Sequence, residues 1–283
     1  MDDDKPQRPL ADVLAEVEGW EPDTVAVGVT DPTGTLATHG PVEQVLALTS
    51  VTKPLAAYAI LIAVQDGIVA LDEPVEVDGV NDGITVRHLL AHASGLPMDE
   101  GGGVTTVGEK RIYSNWGFDV LGQLVSERVD LPFDDHLDVE VLTPLGMTDT
   151  RLDGSPAHAG EGTVTDLLAF ARELLDPQLL EPDLFDAATR PVFAELEGVV
   201  PGFGRQQPNP WGLGFEVRGD KDPHWTGGRH APETFGHFGA SGSFLWVDPS
   251  RDLAAVVLAD QDFGRWAKEA WPAFNDAILA AAP

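Results

Sequence analysis

Hydrophobic positions near the start of the chain change from a helical to a strand-like period. Residues 9–19 carry apolar side chains at helical spacing, which predicts a short amphipathic helix. Residues 24–30 and 35–40 are strand-like segments separated by the turn sequence Asp-Pro-Thr-Gly at 31–34. Two such segments around a tight turn predict a β-hairpin that follows the helix.

Helical patterns fill the middle of the chain. An almost wholly apolar helix is predicted to run from Ser50 to about Asp66, with Gly67 as its C-terminal stop. The sequence predicts a shorter helix at 85–93, capped by Thr85. Further helices are expected at residues 115–129, 134–142 and 165–175, the last with Thr165 as its N-cap.

The pattern returns to strands after residue 205. Residues 234–240, 243–249 and 253–260 form strand-like runs joined by Gly- or Pro-containing turns, and a closing helix is expected at about 265–281. Strands at both ends with helices between them predict an α+β fold. Its antiparallel sheet is flanked by N- and C-terminal helices and interrupted by a helical lobe.

The same pattern suggests how the chain divides. Residues 1–50 and 205–283 are expected to form a discontinuous sheet lobe, and residues 51–204 a mainly helical lobe. Because pockets tend to form between lobes, the active site is expected in the cleft that separates them.

Composition excludes several classes of function. The chain has 283 residues and no cysteine, so thiolate catalysis, iron–sulfur clusters, cysteine-bound zinc and disulfides are ruled out. Its 47 acidic and 17 basic residues give a net charge of −30. Nucleic acids and anionic membranes are bound by clustered cations, so neither is an expected partner.

The N-terminal sequence has neither a cationic region nor an apolar stretch of the kind found in secretory signals. The longest apolar run, at residues 55–64, is ten residues, about half of what spans a bilayer. A cytoplasmic protein is therefore expected, and the sequence gives no prediction of its oligomeric state.

Ser50 and Lys53 form a Ser-x-x-Lys motif at the start of the predicted apolar helix. Residues three apart share a helix face, so the hydroxyl and the amine can meet, and the helix N-terminus directs backbone N–H groups toward an oxyanion. This spacing arises by chance in about one such chain in seven, as an N-cap serine followed by a solvated lysine. The strand that leads in and the apolar helix that follows weaken that alternative.

Tyr113 and Asn115 form a Tyr-x-Asn motif in a chain with only two tyrosines. The chance frequency of this spacing is about 0.03. A phenol near a Ser/Lys pair can hold or pass a proton, and an amide can hold both the lysine and a substrate carbonyl. The alternative interpretation is a loop tyrosine followed by an asparagine helix cap.

A third candidate is the glycine-rich segment at 235–242. On a strand, His237 and Gly239 share a face, and a glycine there lets a substrate lie close to the backbone. The N–H of Ala240 could then complete an oxyanion hole. An ordinary glycine-rich edge strand leading into a hairpin explains the segment equally well.

In this order the motifs resemble those of the penicillin-recognising serine hydrolases, in the branch of class C β-lactamases, D-amino-acid peptidases and family VIII-type esterases. The resemblance extends from about residue 24 to 275. It includes HLLAHASGLP (88–97), YSNWGFDVLGQLV (113–125), PLGMTDT (144–150) and GHFGASGSFLWVDP (236–249).

The resemblance implies specific roles. Ser50 would be the acylated nucleophile, Lys53 its proton acceptor, Tyr113 the motif phenol and Asn115 the motif amide. The backbone N–H groups of Ser50 and Ala240 would hold the oxyanion. The strand segment at 237–239 would occupy the place of the family's Lys/His-Thr-Gly motif.

Two departures from the family pattern bear on the substrate. Phe238 stands where the family usually has a Thr or Ser hydroxyl, and His237 replaces the commoner Lys. A strand without that hydroxyl and fixed cation is less suited to a lactam carboxylate, whereas a phenylalanine in a pocket wall suits an uncharged acyl or alkyl group.

The expected function is therefore hydrolysis of a small carboxylic ester through an acyl-enzyme. β-Lactam hydrolysis and D-amino-acid peptidase or DD-carboxypeptidase action on an amide remain alternatives, and a catalytically silent binding protein on the same fold is a remote one. The chemistry needs no metal or organic cofactor.

Such a mechanism sets a requirement on Lys53. To act as a base near neutral pH, its pKa must fall from about 10.4 to about 7. The net charge of −30 favours the ammonium form, so burial or proton sharing with Tyr113 has to outweigh it. The sequence leaves open which of the two groups is the main base.

Two other patterns fail their own requirements. The segment at 239–243 carries serine in the last position of a Gly-x-Ser-x-Gly match, so it does not predict an α/β-hydrolase elbow. His88 and His92 are four apart on a predicted helix, but Leu89 stands where a zinc protease needs glutamate. A packed or capping histidine pair is predicted there, and no metal site.

Overall fold

The computed structural model describes residues 8–77, residue 80 and residues 83–283. The helices are α1 (Leu10–Leu14), α2 (Thr52–Gln65), α3 (Val86–Leu90), α4 (Asn115–Val129), α5 (Phe133–Leu137), α6 (Val164–Leu175), α7 (Pro182–Thr189) and α8 (Arg265–Ala281). The strands are β1 (Val25–Asp31), β2 (Gly34–His39), β3 (Leu46–Ala47), β4 (Arg151–Leu152), β5 (Gly160–Gly162), β6 (Gly198–Val200), β7 (Gly204–Gln206), β8 (Glu216–Val217), β9 (Phe235–Phe238), β10 (Phe244–Asp248) and β11 (Leu253–Ala259).

The main sheet joins strands from both ends of the chain in the order β2-β1-β11-β10-β9-β8. Every neighbouring pair is antiparallel, and β1 lies against β11 with Val25 opposite Ala259. This arrangement confirms the predicted α+β fold with an antiparallel sheet.

Helices cover both faces of the sheet, which is why β1 is buried along most of its length. Its odd-numbered valines pack into the apolar cluster that includes Trp271 and Phe274 of α8. On the other face, a side chain at Gly28 would come within 2.6 Å of Leu168 of α6. The glycine therefore permits the close approach of helix and sheet.

Helix α2 runs through the centre of the helical region and is buried on all sides from Thr52 to Ala63. A helix that is apolar all round has no solvent face, which agrees with its sequence. The α-helix begins at Thr52, because Thr49–Val51 form a 3-10 turn before it, so Ser50 lies in that turn. Gly67, with φ of +72°, follows the helix end as predicted.

Four other helices differ from their predictions. The predicted helix at 9–19 is α1 followed by a 3-10 turn at Ala15–Gly19, and the one at 134–142 is α5 followed by a π-helical turn at Asp138–Leu142. Helix α3 ends at Leu90, and His92 follows with φ of +54°, a value that stops helix propagation. Helix α6 is capped by Thr163, whose hydroxyl accepts the N–H of Asp166 at 3.1 Å. The prediction of Thr165 as the cap was wrong, since Thr165 lies inside the first turn and its hydroxyl donates to Glu43.

The short strands were not predicted. Strands β3, β5 and β4 form a three-stranded sheet, and β6 and β7 form a hairpin. Strands of two or three residues are too short to show a hydrophobic period, so no pattern marks them. The division into lobes at residues 50 and 205 stays a prediction.

Within the described ranges, no helix has both the length and the apolar character needed to cross a membrane.

Candidate active site

The 3-10 turn that carries Ser50 lies against the end of strand β9. Thr49, directly before Ser50, has φ of +45°, which is rare for a β-branched residue. Its hydroxyl oxygen accepts the backbone N–H of Ser241 at 3.1 Å. This contact fixes the turn of the candidate nucleophile to the β9–β10 connection.

Lys53 lies one turn after Ser50 and is fully buried. Its Nζ donates to Asn115 Oδ1 at 2.7 Å and to the carbonyl oxygen of Ala157 at 2.9 Å. Burial lowers the pKa of Lys53 from 10.5 to about 7, although nearby carboxylates oppose this shift. The requirement for a base near neutral pH is therefore met by burial.

Tyr113 lies between the lysine and strand β9. Lys53 Nζ is 4.5 Å from the centroid of its ring, and its hydroxyl is 3.4 Å from His237 Nε2. Burial raises the pKa of Tyr113, while a hydrogen bond with the Ser50 hydroxyl opposes this shift. The phenol therefore stays protonated at neutral pH.

His237 is a neutral imidazole in this environment. Its Nδ1 lies 2.6 Å from the carbonyl oxygen of Phe238, which can only accept, so Nδ1 carries the hydrogen and Nε2 the lone pair. Burial lowers the pKa of His237 to about 3, and the charge of Lys53 acts in the same direction. The ring thus presents an acceptor to the Tyr113 hydroxyl.

Phe238 points away from His237, as successive residues on a strand do. It is 7% exposed, and its ring centroid lies 5.0 Å from that of Phe263 and 5.8 Å from that of Trp225. Phe238 and Phe263 both reach the cavity next to Ser50, so each belongs to its wall as well as to the core.

Gly239 allows the strand to approach the nucleophile turn. A side chain there would come within 2.3 Å of Thr49 Oγ1, 2.6 Å of the Leu48 carbonyl oxygen and 3.3 Å of the Ser50 nitrogen. The next residue, Ala240, therefore borders the cavity close to Ser50. This placement suits a pair of backbone N–H groups around an oxyanion.

A cavity of about 350 Å³, the catalytic cavity, opens at these residues. Its walls contain six residues singled out from the sequence and seven more: Ser50, Tyr113, Asn115, His237, Phe238 and Ala240, with Thr49, Met98, His158, Pro201, Trp211, Glu216 and Phe263. Lys53 and Gly239 lie behind the wall. The structure brings all eight predicted site residues together, and their roles stay predictions.

Glu216 is a carboxylate in that wall, and an ion pair with the buried Lys221 balances its charge. It accepts hydrogen bonds from Lys221 Nζ at 2.8 Å, from Trp225 Nε1 at 2.7 Å and from His224 Nε2 at 3.2 Å. Burial acts to raise the pKa of Glu216, but Lys221 and His224 outweigh it and hold the pKa well below its usual value. Glu216 therefore stays an ion-paired carboxylate.

The additional wall residues gave little signal in the sequence. Met98, His158, Pro201 and Phe263 lie in irregular segments, where no period marks a cavity-facing side. Trp211 and Glu216 belong to the segment WGLGFEV at 211–217, whose apolar and glycine residues resemble an ordinary strand entry. Their position beside Tyr113 depends on tertiary contacts, such as the one between the Tyr113 and Trp211 rings, whose centroids are 6.0 Å apart.

The histidine pair is packed rather than exposed. His88 Nδ1 lies 2.8 Å from the Thr85 hydroxyl, and its ring stacks on Phe193 at 4.8 Å. His92 is fully buried, and its Nδ1 accepts the N–H of Ser114 at 3.1 Å. Over the described residues, no group of three or more His, Asp or Glu side chains is placed to hold a metal ion.

Comparisons with known proteins agree with this geometry. A family model described as Beta-lactamase matches residues 23–278. A solved Mycobacterium bovis protein described as a beta-lactamase is 48% identical, with a TM-score of 0.91 and coverage of 95% of this chain and 98% of that one. A solved hydrolase with promiscuous acyltransferase activity is 17% identical, with a TM-score of 0.78 and coverage of 95% and 97%, and shares the fold.

A penicillin-binding protein of Bacillus subtilis is 28% identical over 134 residues, which are 37% of this chain and 30% of that protein. The chain therefore covers less than a third of that curated relative.

Proposed function

The chain belongs to the Beta-lactamase family of serine hydrolases, and on that premise we propose that it hydrolyses carboxylic esters through an acyl-enzyme on Ser50. The observation that carries this proposal is the wall of the catalytic cavity. Phe238 and Phe263 stand beside the nucleophile, and among the described wall residues there is no lysine or arginine. A wall of this kind suits an uncharged acyl group better than a substrate carboxylate.

In the proposed acylation step, Ser50 Oγ forms a bond to the ester carbonyl carbon while its proton leaves. The carbonyl oxygen gains negative charge, which the N–H groups of Ser50 and Ala240 stabilise. One donor of this kind contributes roughly 2.7–4 kcal/mol in other enzymes. The C–O bond to the alcohol then breaks, and the alcohol oxygen takes the proton.

Lys53 is the better base of the two candidates. Its pKa of about 7 leaves a large neutral fraction at neutral pH, whereas burial raises the pKa of Tyr113. A neutral amine has two N–H bonds and one lone pair. Asn115 Oδ1 and the Ala157 carbonyl oxygen accept hydrogen bonds from the two N–H groups. The lone pair of Lys53 Nζ is then left to take the serine proton.

Lys53 takes the proton of Ser50, and Tyr113 is proposed to donate its own hydroxyl proton to the leaving oxygen and to regain one from the Lys53 ammonium. Lys53 Nζ is 4.5 Å from the ring centroid of Tyr113, so the two groups are neighbours. The Tyr113 hydroxyl can accept from the Ser50 hydroxyl and donate toward His237 Nε2. Deacylation repeats the sequence with water: its oxygen bonds to the acyl carbon, its proton goes to the base, and the Ser50 oxygen leaves and is reprotonated.

The second candidate is β-lactam hydrolysis, because the 48% identical Mycobacterium bovis protein is described as a beta-lactamase. The same steps would open a lactam, with the ring nitrogen as leaving group. The proposal ranks this activity second because Phe238 replaces the hydroxyl that lactam-binding relatives usually carry on this strand.

The test compares hydrolysis of p-nitrophenyl butyrate and nitrocefin by the wild type, Ser50→Ala and the control Ser250→Ala. Ser250 lies on the exposed turn after β10 and bonds to Asp248. Ester turnover that is lost only in Ser50→Ala, together with weak nitrocefin turnover, supports the esterase. Comparable nitrocefin efficiency favours the lactamase, and ester turnover that survives in Ser50→Ala contradicts the site.

A further inference from the structure

A second cavity, of about 520 Å³, adjoins the catalytic cavity. The two share Met98, Tyr113 and Pro201 as wall residues. We call the second one the outer chamber, because two of its apolar wall residues are open to solvent: Met98 is 48% exposed and Val199 59%. Met98 lies in the walls of both cavities, so this chamber continues from the one that holds Ser50 to the protein surface.

The charge of the outer chamber is opposite to that of the protein. Three of its wall residues are cationic, Lys110, Arg111 and Arg205, and one, Glu197, is a carboxylate. The chain as a whole has 17 basic and 47 acidic residues. A local excess of cations on so acidic a protein favours an anionic ligand at this place.

Lys110 is the cation available to a ligand. Arg205 forms an ion pair with Glu197, and the guanidinium of Arg111 donates to four backbone carbonyl oxygens, including that of Asn209 at 3.1 Å. Lys110 is exposed, and among the described residues no carboxylate lies within ion-pair distance of its amine. Glu197, whose pKa is lowered chiefly by its bond to Arg205, also interacts with the charge of Lys110 at longer range.

Tyr113 sets the direction in which a substrate crosses the two cavities. An alcohol leaving group takes its proton from a group beside the breaking bond. Tyr113 contacts Ser50 and forms part of both walls, so an alcohol that takes its proton from this hydroxyl can extend into the outer chamber. The acyl chain then lies along Phe238 and Phe263, where the catalytic cavity has no lysine or arginine among its described wall residues.

We propose that the outer chamber binds the alcohol part of the ester, and that this alcohol is apolar with an anionic end that Lys110 binds. This inference rests on the proposed esterase function. It adds a substrate class, esters of apolar alcohols that carry a carboxylate or a similar anion at the far end.

Three synthetic esters test on which side of the ester bond, alcohol or acyl, the enzyme prefers a carboxylate. The first is the butyrate ester of 3-(4-hydroxyphenyl)propanoate, with the carboxylate on the alcohol side. The second is the same ester with a carboxamide in place of the carboxylate, and the third is the monophenyl ester of adipate, with the carboxylate on the acyl side. The wild type is expected to prefer the first over the second by about fivefold in kcat/KM, as an exposed ion pair allows.

Lys110→Met should bring that preference close to one, and Lys110→Arg should retain it. Arg190→Gln is the control, because Arg190 is an exposed cation directly after α7, paired with Asp186, that lines neither cavity. Added salt should reduce the preference in the wild type, because it screens exposed charges.

The outcomes separate this inference from the esterase proposal. Equal turnover of the first two esters by the wild type, still dependent on Ser50, overturns the outer-chamber inference and leaves the esterase intact. A preference that persists in Lys110→Met overturns the role of Lys110. Faster turnover of the adipate ester than of the carboxamide overturns the direction.

A binding measurement covers the case in which no ester is hydrolysed. Free 3-(4-hydroxyphenyl)propanoate is titrated into Ser50→Ala, with tryptophan fluorescence as the readout. Binding that is lost in the Ser50→Ala, Lys110→Met double variant supports the outer chamber even if the esterase proposal fails. Absence of binding in Ser50→Ala, together with no ester turnover, overturns both.

Discussion

The hydroxyl oxygen of Thr49 lies 3.1 Å from the backbone nitrogen of Ser241, across the catalytic cavity's rim. Thr49 has φ of +45°, an unfavourable value for a β-branched residue, and it directly precedes Ser50. The hydrogen bond therefore holds a strained turn against the β9–β10 connection. Strain retained beside a reactive group is expected where it sets the position of that group.

Thr49→Val is expected to lower kcat for p-nitrophenyl butyrate by about fivefold with little change in KM. One buried hydrogen bond contributes about 1 kcal/mol, and a displaced Ser50 affects the transition state. Thr49→Ser keeps the hydroxyl and should stay near the wild type. Steady-state kinetics of the three proteins checks this. Equal kcat in the valine and serine variants would show that the hydroxyl positions nothing.

Lys53 makes the ester reaction depend on pH. Because burial lowers its pKa to about 7, kcat/KM should rise with pH through an apparent pKa near 7 and level off above it. His237 is not expected to add a step above pH 5, since burial lowers its pKa to about 3. A pH–rate profile from pH 5 to 9 tests both statements, and a flat profile would contradict Lys53 as the base.

The same shift has a consequence for stability. Between pH 7 and 10.5 the unfolded chain holds a proton on Lys53 that the folded protein has largely lost, so the folded state gains stability as pH rises through this window. Lys53→Met removes the effect. The variant should have a larger free energy of unfolding than the wild type. This advantage should be greater at pH 7 than at pH 9.5, and the two advantages should differ by up to about 3 kcal/mol.

Urea unfolding at the two pH values measures this difference. Lys268→Met is the control, because Lys268 on α8 has no comparable burial. A Lys53→Met protein that is less stable than the wild type at both pH values would show that the hydrogen bonds to Asn115 and Ala157 outweigh the burial of the amine.

The sequence predicted the elements and residues that have local causes. The bounds of α4 and α8 agree with the predicted ranges at 115–129 and about 265–281. Ser114 caps α4, whereas α8 has no side-chain cap and is marked by its helical period. Ser50, Lys53 and Tyr113 were found through motifs whose spacing is itself local.

Features that depend on distant contacts were not predicted. Thr49, whose φ is positive, bonds to Ser241, which is 192 residues away in the chain. The outer chamber joins segments near residues 98, 110 and 199, and nothing in any one of them marks a cavity. The direction of Phe238 follows from the pleat of β9, but its contacts come from Phe263 and α8.

Phe238 links the acyl specificity to the core, so its replacement should affect both. Its ring contacts those of Phe263, Trp225 and Trp271, and truncation of a buried phenylalanine to alanine destabilises a protein by about 3–5 kcal/mol. Phe238→Ala is therefore expected to unfold at lower temperature. It should also lengthen the acyl site, which shifts the optimum among p-nitrophenyl esters of two to twelve carbons toward longer chains.

Phe170→Ala separates the two effects. Phe170 is fully buried against Tyr58, with ring centroids 5.5 Å apart, and it lines neither the catalytic cavity nor the outer chamber. It should lose comparable stability without a shift in chain-length optimum. If both variants gave the wild-type optimum, the acyl chain would not lie along Phe238. In that case the apolar wall would have to face the alcohol instead, and the direction assigned from Tyr113 would be reversed.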